Sequence, residues 1–399
     1  MRRGWTSTAT TSMVAVVYAA QGLGYAVVVT ALPAVKDRMA FSDTVVSGIL
    51  LMVCAAATVG SGLANAVALR RGSRTAGCLG FVLQSVGLAG MSIAPDRMVY
   101  LCAVAVYGLA LGTVDASNNM QGVAVRDRDG ASIMGRLYSA LTVGGVVGAV
   151  LASLLAARGA SALALMGAVA ILQLAVAVAG GFWLVPTLAT RPTADEPRAA
   201  QRVPLPRRAM LAVGSLVLVA YLVDSAVATW SAIYLSDGLR ASAAMAPAGY
   251  AAYLTVVFVA RLVNDLAVLR WGRRTVALFA TIVAALGCAL VVLGSGTAAA
   301  ITGFGLAGIG TGALVPIAFA SAGELLPSRR DEVIARVNVF NYAGAVVGAV
   351  APGLVGAGTA LRLGFLGPAL ALLLVLSVAL RLPTVPSAYT SSLPEGELA

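Results

Sequence analysis

The sequence predicts an all-α membrane protein with twelve transmembrane helices arranged in two six-helix bundles. Two observations carry this prediction: the chain is too apolar for a globule in water, and its two halves repeat one pattern. Of its 399 residues, 60% are hydrophobic and only 11% are charged, against roughly 25% charged residues in ordinary soluble domains. The mean hydropathy is +0.93. Most of the molecular surface must therefore face lipid.

The repeat becomes visible when the chain is shifted by 200 residues against itself. The stretch 65–75 then falls on 265–275, and the glycine-rich stretch 143–150 (VGGVVGAV) falls on 343–350 (AGAVVGAV). One register holds at separated places without a net insertion, which predicts two copies of one structural unit.

Apolar runs long enough to cross a bilayer, about 20 residues of α-helix each, recur six times in each half. Between the halves, the segment 187–208 is rich in proline, alanine and charge, and reads as a flexible linker. We therefore predict an N-terminal bundle over 1–186, a cytoplasmic linker over 187–208, a C-terminal bundle over 209–382 and a cytoplasmic tail over 383–399. The predicted spans are 13–32, 44–68, 75–92, 98–123, 133–156, 160–186, 209–235, 243–263, 273–293, 298–324, 333–356 and 361–380.

The distribution of basic residues predicts the orientation. With a cytoplasmic N-terminus, 21 of the 27 basic residues fall in cytoplasmic segments, which is a strong positive-inside bias. The net charge of +11 is thus a topology signal and not a sign of nucleic-acid binding, because the arginines are scattered over short loops. We expect a multi-pass protein of the cytoplasmic membrane with both termini in the cytoplasm.

Composition also excludes several kinds of site. The chain has no histidine, and its four cysteines form no CxxC pair, so we expect no metal site of the usual kind. The only lysine, Lys36, follows a valine, which rules out a phosphate-binding GxxxxGK[ST] loop. We therefore expect no cofactor and no ATP site.

Polar residues within four apolar spans (the first, fourth, seventh and eleventh) recur at helical spacing, which places each set on one helical face. Such a face cannot lie against lipid tails, where each unsatisfied polar group costs several kcal/mol. It must line a water-filled cavity or contact a neighbouring helix, and helix-to-helix hydrogen bonding stays open for any single residue. The predicted cavity residues on these spans are Tyr18, Gln21, Tyr25, Asn118, Asn119, Tyr221, Trp230, Asn338, Asn341 and Tyr342, and Tyr138 of the fifth span is predicted to join them.

Asp115 and Asp224 are the carboxylates predicted to lie inside apolar spans, whereas the other acids fall in loops, at span ends or in the tail. A charged aspartate at mid-membrane costs roughly 2.5 to 3.5 kcal/mol, and desolvation favours its protonated form. No arginine is predicted deep within a span, so a fixed ion pair is disfavoured. We expect Asp224 and Asp115 to bind protons or cations.

The turn between the eighth and ninth predicted spans carries a family resemblance. Its sequence, Asp265-x4-Arg270-Trp271-Gly272-Arg273-Arg274, resembles the acid, glycine and double-arginine signature of the major facilitator superfamily. The turn between spans two and three resembles it more loosely, with asparagine in place of the acid. The gating residues that the resemblance implies are Asn65, Arg70, Gly72, Arg74, Asp265, Arg270, Gly272, Arg273 and Arg274.

Segments 22–43, 112–125 and 223–239 are similar to a bacterial subgroup related to fucose permease and to poorly characterised inner-membrane carriers. The chain departs from that subgroup at three positions: Asp224 stands where glutamate is usual, Thr229 where aspartate is usual, and Tyr138 where histidine is usual. Because of these departures, we do not carry the substrates of the subgroup over to this chain.

The resemblance implies a secondary active transporter, not an enzyme, that moves a small organic molecule by alternating access. We favour proton-coupled export, because the predicted cavity holds acids and aromatic residues but no deep basic residue for an anionic sugar acid or a phosphate. Proton-coupled uptake of a sugar or similar solute is the alternative. The expected partners are the substrate, protons and the lipid bilayer, with no nucleic acid, and we expect a monomer.

Two other classes fit less well. Two aspartates on separate membrane helices could form an intramembrane aspartyl protease, but the GxGD context of such enzymes is missing and they are not duplicated by six spans. The second class is a membrane sensor or structural protein. A variant that loses transport but keeps signalling would favour this class.

The charge distribution makes the topology testable. Reporter fusions within 187–208 and in the tail 383–399 should both report the cytoplasm, because basic residues are retained on that side. Fusions to alkaline phosphatase and to green fluorescent protein at both sites measure this. An external signal at either site would contradict the predicted number of crossings.

Overall fold

The protein is described here by a computed structural model that covers residues 7–129, 133–186, 205–326 and 330–382. Within these ranges the chain forms eleven α-helices and no strand. Most of the predicted linker and all of the predicted tail lie outside the described residues. The helices are α1 (Ser7–Met39), α2 (Asp43–Arg71), α3 (Ser73–Ile93), α4 (Arg97–Asp129), α5 (Ile133–Ala157), α6 (Ala162–Trp183), α7 (Arg207–Ile233), α8 (Ala248–Leu293), α9 (Thr297–Leu325), α10 (Arg330–Val355) and α11 (Leu366–Ala379).

Ten helical segments of the described chain are long and apolar enough to cross a membrane. Two of them include short non-α turns: a π-helix, Tyr234–Gly238, follows α7, and a 3-10 helix, Gly358–Phe365, precedes α11. Many large apolar side chains face outward, among them Leu293, Leu374 and Ile171, each more than 70% exposed. Such exposure suits lipid, so the predicted all-α membrane protein is confirmed at this level.

The predicted count of twelve helices is not matched, because predicted spans eight and nine form one 46-residue helix, α8. This helix is broken at Gly272, where φ is 79° and ψ is 152°. Positive φ is a region that glycine enters readily and that other residues avoid. Gly72, 200 residues earlier, has nearly the same backbone (φ 91°, ψ 155°) and separates α2 from α3. The two equivalent turns therefore share one backbone geometry.

Helix packing repeats from one half to the other. In the first half α1 packs mainly on α5, and α2 packs on α4; in the second half α7 packs on α10, and α8 packs on α9. These are equivalent pairs under the 200-residue shift. Fewer contacts join the halves, and they run between α5 and α8, α2 and α10, and α1 and α7.

Glycine makes the closest of these helix contacts possible. A Cβ on Gly144 of α5 would overlap the carbonyl oxygen of Ala19 on α1, and a Cβ on Gly344 of α10 would overlap that of Leu218 on α7. Small residues let helix backbones approach in this way inside membranes. The glycine pairs of the repeated VGGVVGAV-type stretch thus hold equivalent helices together in both halves.

Replacing Gly144 with alanine should destabilise the protein, because the added methyl group meets backbone atoms that cannot move aside. We expect a loss of about 1 to 3 kcal/mol in the free energy of unfolding, the range for overpacking. Thermal unfolding of the purified protein in detergent measures it. Gly181→Ala is the matched control, since a Cβ there meets no atom within 4 Å. Equal midpoints for the two variants would contradict this account of the α1–α5 contact.

Candidate functional site

A cluster of hydrogen-bonded side chains joins α1, α4 and α5 in the first half. The Tyr18 hydroxyl lies 3.2 Å from the Asn118 carbonyl oxygen and 3.4 Å from Asn119 Oδ1. The Tyr138 hydroxyl donates to the same Asn119 Oδ1 at 2.9 Å. The two tyrosine rings meet edge to face, with centroids 5.6 Å apart. Because Tyr138 is 41% exposed, this cluster reaches an accessible surface.

Asp115 belongs to the same cluster through Gln21. The Gln21 Nε2 donates to Asp115 Oδ1 at 3.1 Å, and Asn118 Nδ2 donates to Gln21 Oε1 at 2.9 Å. Both ends of the Gln21 amide are therefore engaged, which fixes its orientation. Asp115 is partly exposed and receives its hydrogen bond from a neutral group. It forms no ion pair with a basic side chain of the described residues.

A second cluster surrounds Asp224 in the other half. The Tyr253 hydroxyl lies 2.8 Å from both Asp224 Oδ1 and Thr311 Oγ1, and Thr311 Oγ1 lies 3.2 Å from the Ala220 carbonyl oxygen. Tyr253 and Thr311 are buried, whereas Asp224 is partly exposed. A chain of hydroxyl groups thus leads from the carboxylate into the packed interface of α7, α8 and α9.

The prediction that no basic residue lies deep in a span is wrong. Arg261 lies thirteen residues after the start of α8 at Ala248 and eleven before its break at Gly272. At 1.5 Å per residue it is about 20 Å from one end of that segment and about 17 Å from the other. The prediction failed because the eighth span was ended at residue 263, whereas the helix continues for two more turns to Gly272.

Arg261 also connects the two halves. Its Nη1 donates to Thr142 Oγ1 on α5 at 2.7 Å. The guanidinium is half-buried and interacts electrostatically with Asp224, Tyr221 and Tyr138. The surroundings of Asp224 therefore include a positive charge as well as the carboxylate.

The remaining predicted cavity residues divide into three groups. Tyr25 and Tyr221 are half-buried and lie near Asp224, with which both interact electrostatically. Tyr342 is 59% exposed on α10, and Asn341 beside it is partly exposed. The third group is Trp230, which is buried, and Asn338, whose side chain lies outside the described part of the molecule.

Trp230 is fully buried, and its Nε1 donates to the Ala349 carbonyl oxygen at 2.9 Å. The structure thus places it in the contact between α7 and α10 and not at a cavity surface, because its ring is large enough to fill the gap beside Gly353. Asn338 lies on α10, and its side chain is outside the described part of the molecule.

The two predicted gating turns are built unequally. In the second half, Arg273 pairs with both oxygens of Glu324 at the end of α9, through Nη1 at 2.7 Å and Nη2 at 2.8 Å. At the equivalent position of the first half, the Ser73 hydroxyl accepts a neutral hydrogen bond from Gln121 Nε2 at 2.8 Å. Sequence reasoning missed Glu324, which it had placed at a span end without a role.

The other gating residues lie at the surface around these turns. Asp265 is exposed and accepts a bond from Asn264 Nδ2 at 3.3 Å. Within the described ranges it pairs with no arginine of its own turn. Asn65 and Arg70 are also exposed, Arg74 is half-buried, and the Arg270 guanidinium lies 5.9 Å from the centre of the Trp271 ring.

At the opposite end of the helices, which we call the Lys36 end, side chains tie the halves together. Lys36 pairs with Asp43 at 2.5 Å and also with Asp237 of the π-helix after α7. Nearby, the Ser47 hydroxyl of α2 donates to the Val350 carbonyl oxygen of α10 at 3.1 Å. The single lysine of the chain thus bridges one acid from each half.

Comparison with known protein families gives a match to the Major Facilitator Superfamily model over residues 213–398. An uncharacterized MFS-type transporter from Yersinia pestis is 27% identical over 354 residues, which are 89% of this chain and 91% of that protein. The uncharacterized transporter y4wD of Sinorhizobium fredii is 30% identical over 285 residues, 70% of this chain and 73% of that protein.

Solved structures with the same fold include a mutant of the nucleoside transporter NupG, with a TM-score of 0.74 at 12% identity, covering 93% of this chain and 98% of that chain. A bacterial homolog of the human lysosomal transporter Spinster, in an inward-facing and occupied conformation, has a TM-score of 0.71 at 14% identity. It covers 95% of this chain and 97% of that chain. At these identities the likeness is one of fold.

The bridge at the Lys36 end can be tested chemically, because Lys36 is the only lysine. Asp237→Asn should make Lys36 react about tenfold faster with a membrane-impermeant amine reagent. A change of this size corresponds to the free energy of one lost charge-assisted hydrogen bond. Mass spectrometry of the peptide that carries Lys36 measures this rate. Asp37→Asn, at an exposed neighbouring position, is the control. The same rate in Asp237→Asn and in the unmodified protein would show that the bridge does not shield the amine.

Proposed function

Since the chain belongs to the major facilitator superfamily of membrane transporters, which are not enzymes, we propose that it couples export of a small organic molecule to proton entry across the cytoplasmic membrane. Membrane transport of a small solute follows from the family. The coupling to protons and the residues involved are our proposal, and they rest on the arrangement of the two intramembrane aspartates. Arg261 removes the reason for export that was drawn from the sequence, so the direction is the part of the proposal that metabolite profiling decides.

The observation that carries the proposal is the matched setting of Asp115 and Asp224. Each lies midway along a helix of a different half, is partly exposed, and is hydrogen-bonded by a neutral donor, Gln21 or Tyr253. A carboxylate held by neutral groups can gain or lose a proton without breaking an ion pair. Access to these groups from alternate sides would couple proton movement to substrate movement.

The energy available to such a carrier is sufficient for a large gradient. A membrane potential of 100 mV supplies about 2.3 kcal/mol per proton, and one pH unit adds about 1.4 kcal/mol. One coupled proton therefore supports a substrate gradient on the order of 500-fold.

The twelve crossings and the division of the chain belong to the same proposal. The break at Gly272 divides α8 into two parts, each of sufficient length to span a bilayer, and α10 supplies the eleventh crossing. We assign 1–186 and 209–382 to six-helix bundles, joined by the linker 187–208 and followed by the tail 383–399. Both termini are then cytoplasmic, which the positive-inside bias supports, and the protein acts as a monomer.

Alternating access requires the halves to separate at one end while they meet at the other. The bonds of Thr142, Ser47, Ser153 and Lys36 that join the halves all lie between Thr142 and the Lys36 end. Towards the opposite end, Tyr138 and Tyr342 are exposed. This distribution supports a cavity open to the cytoplasmic side, closed by the Lys36 bridge on the other.

Uptake is the second candidate, and one observation favours it. The cluster of Tyr18, Gln21, Asn118 and Asn119 offers hydroxyl and amide groups that suit a polyol such as a sugar. Metabolite profiling of cells with and without the protein decides the direction, because export depletes the solute inside the cell and uptake enriches it.

Asp224→Asn should abolish accumulation of the profiled solute in proteoliposomes under an imposed pH gradient while it leaves downhill exchange intact. The amide keeps the shape of the side chain but carries no exchangeable acid proton. Asp115→Asn should lose accumulation in the same way or weaken substrate binding. Asp37→Asn, at an exposed position near the end of α1, is the control for the removal of a carboxylate elsewhere in the protein. Accumulation at the unmodified level in both variants would exclude these aspartates as the coupling groups.

A further inference from the structure

Arg261 has more hydrogen-bonding capacity than the structure uses. A guanidinium carries five N–H donors and stays charged in proteins. Within the described residues Arg261 has one acceptor, Thr142 Oγ1 at 2.7 Å. That hydroxyl donates its own hydrogen to the Tyr138 carbonyl oxygen at 3.0 Å, one turn earlier on α5. The other N–H groups of this half-buried side chain are left for water or a ligand.

No carboxylate neutralises Arg261 by direct contact. Asp224 interacts with it electrostatically, but the hydrogen bond of Asp224 comes from Tyr253, and among the described side chains no acidic oxygen lies within ion-pair distance of Arg261. Taking an unpaired charge out of water is costly, by several kcal/mol when burial is complete. Arg261 is half-exposed where α8 meets α5 of the other half, so an anion can reach it.

We propose that Arg261 binds the carboxylate of the transported solute, so that the substrates are small organic monocarboxylates that also carry hydroxyl or amino groups. This inference rests on the proposed transport function and specifies its substrate class. The planar fork of arginine matches the two oxygens of a carboxylate.

The charges around the site favour a monoanion over a dianion. Tyr221 interacts electrostatically with Arg261 and with both Asp224 and Asp115, so one positive and two acidic groups share this region. A phosphate dianion would meet more acidic than basic charge. A monocarboxylate is matched by Arg261, and its hydroxyl or amino groups can donate to Asp115 or to the Asn118 and Asn119 cluster.

A purely structural role for Arg261 predicts different behaviour. If Arg261 only clamped α8 to α5, removal of its acceptor would have the same effect as removal of its charge. Thr142→Val removes the acceptor while it keeps the shape of the side chain and the arginine. The proposal instead requires carboxylate binding to persist in Thr142→Val and to be lost in Arg261→Gln.

The test is ligand-induced thermal stabilisation of the purified full-length protein in detergent, at fixed pH and without a gradient. The probes are a panel of hydroxy and amino monocarboxylates, each beside its uncharged counterpart, such as gluconate beside glucose and an amino acid beside its alcohol. At least one carboxylate should stabilise the unmodified protein, and its counterpart should not. Arg261→Gln should need at least about tenfold more of that carboxylate, the loss of one charge-assisted hydrogen bond.

Arg261→Lys keeps the positive charge but lacks the planar guanidinium. It should need a carboxylate concentration between those of the unmodified protein and Arg261→Gln. Arg208→Gln, at an exposed position at the start of α7, is the control and should match the unmodified protein. Failure of every carboxylate to stabilise the unmodified protein, equal stabilisation by the uncharged counterparts, or equal effects of Thr142→Val and Arg261→Gln would each overturn the proposal.

Failure of this proposal is distinguishable from failure of proton coupling. Binding is measured without a pH gradient, so loss of coupling in Asp224→Asn leaves the result with Arg261 unaffected. If the protein accumulates a neutral solute under a pH gradient, the proposed transport function stands and the proposed carboxylate site is excluded.

Discussion

A bilayer core offers no hydrogen-bond partner to the chain, and every other feature of this structure follows from that constraint. Backbone groups are satisfied within helices, and large apolar side chains such as Leu293 and Leu374 cover the outside. Polar side chains are drawn inward, where they bond to one another: Tyr18 to Asn118, Gln21 to Asp115, and Tyr253 to Asp224. These inward-facing polar groups are the reason that we place the proposed contact with a polar solute between the halves.

Sequence alone predicted the architecture well, because hydrophobic length and the 200-residue repeat are both strong signals. The turns at Gly72 and Gly272 and the glycine contacts of α5 and α10 follow the repeat directly. Clusters on one helical face were also predictable: Gln21, Asp115 and Asn118 were identified by their spacing, and they bond to one another.

The residues that were missed share a physical reason. Arg261 lies two residues before the predicted end of span eight, an edge that hydropathy cannot place to better than a few residues. Tyr253 and Thr311 lie in spans eight and ten, which were not among the four spans with a predicted polar face. Glu324 is paired with a residue 51 positions away, a relation that no local pattern encodes. Trp230 was predicted to line the cavity, but it is fully buried and its indole nitrogen donates to the Ala349 carbonyl oxygen of α10. Helix positions could be predicted from the sequence, whereas side-chain contacts between distant segments could not.

Among the residues that the structure describes, the polar ties between the halves include the Lys36 bridge, the Ser47 bond to the Val350 carbonyl oxygen, the Ser153 bond to the Ala244 carbonyl oxygen and the Arg261 bond to Thr142. A neutral hydrogen bond contributes only about 0.5 to 1.5 kcal/mol net. Two arrangements that differ by a few kcal/mol leave the minor one at roughly 0.1 to 10% of molecules. Under the proposed alternating access, the observed arrangement is therefore one member of an equilibrium. A bound solute shifts the two populations by the difference between its affinities for them, so a weakly bound solute can drive the exchange if it binds the counterpart better.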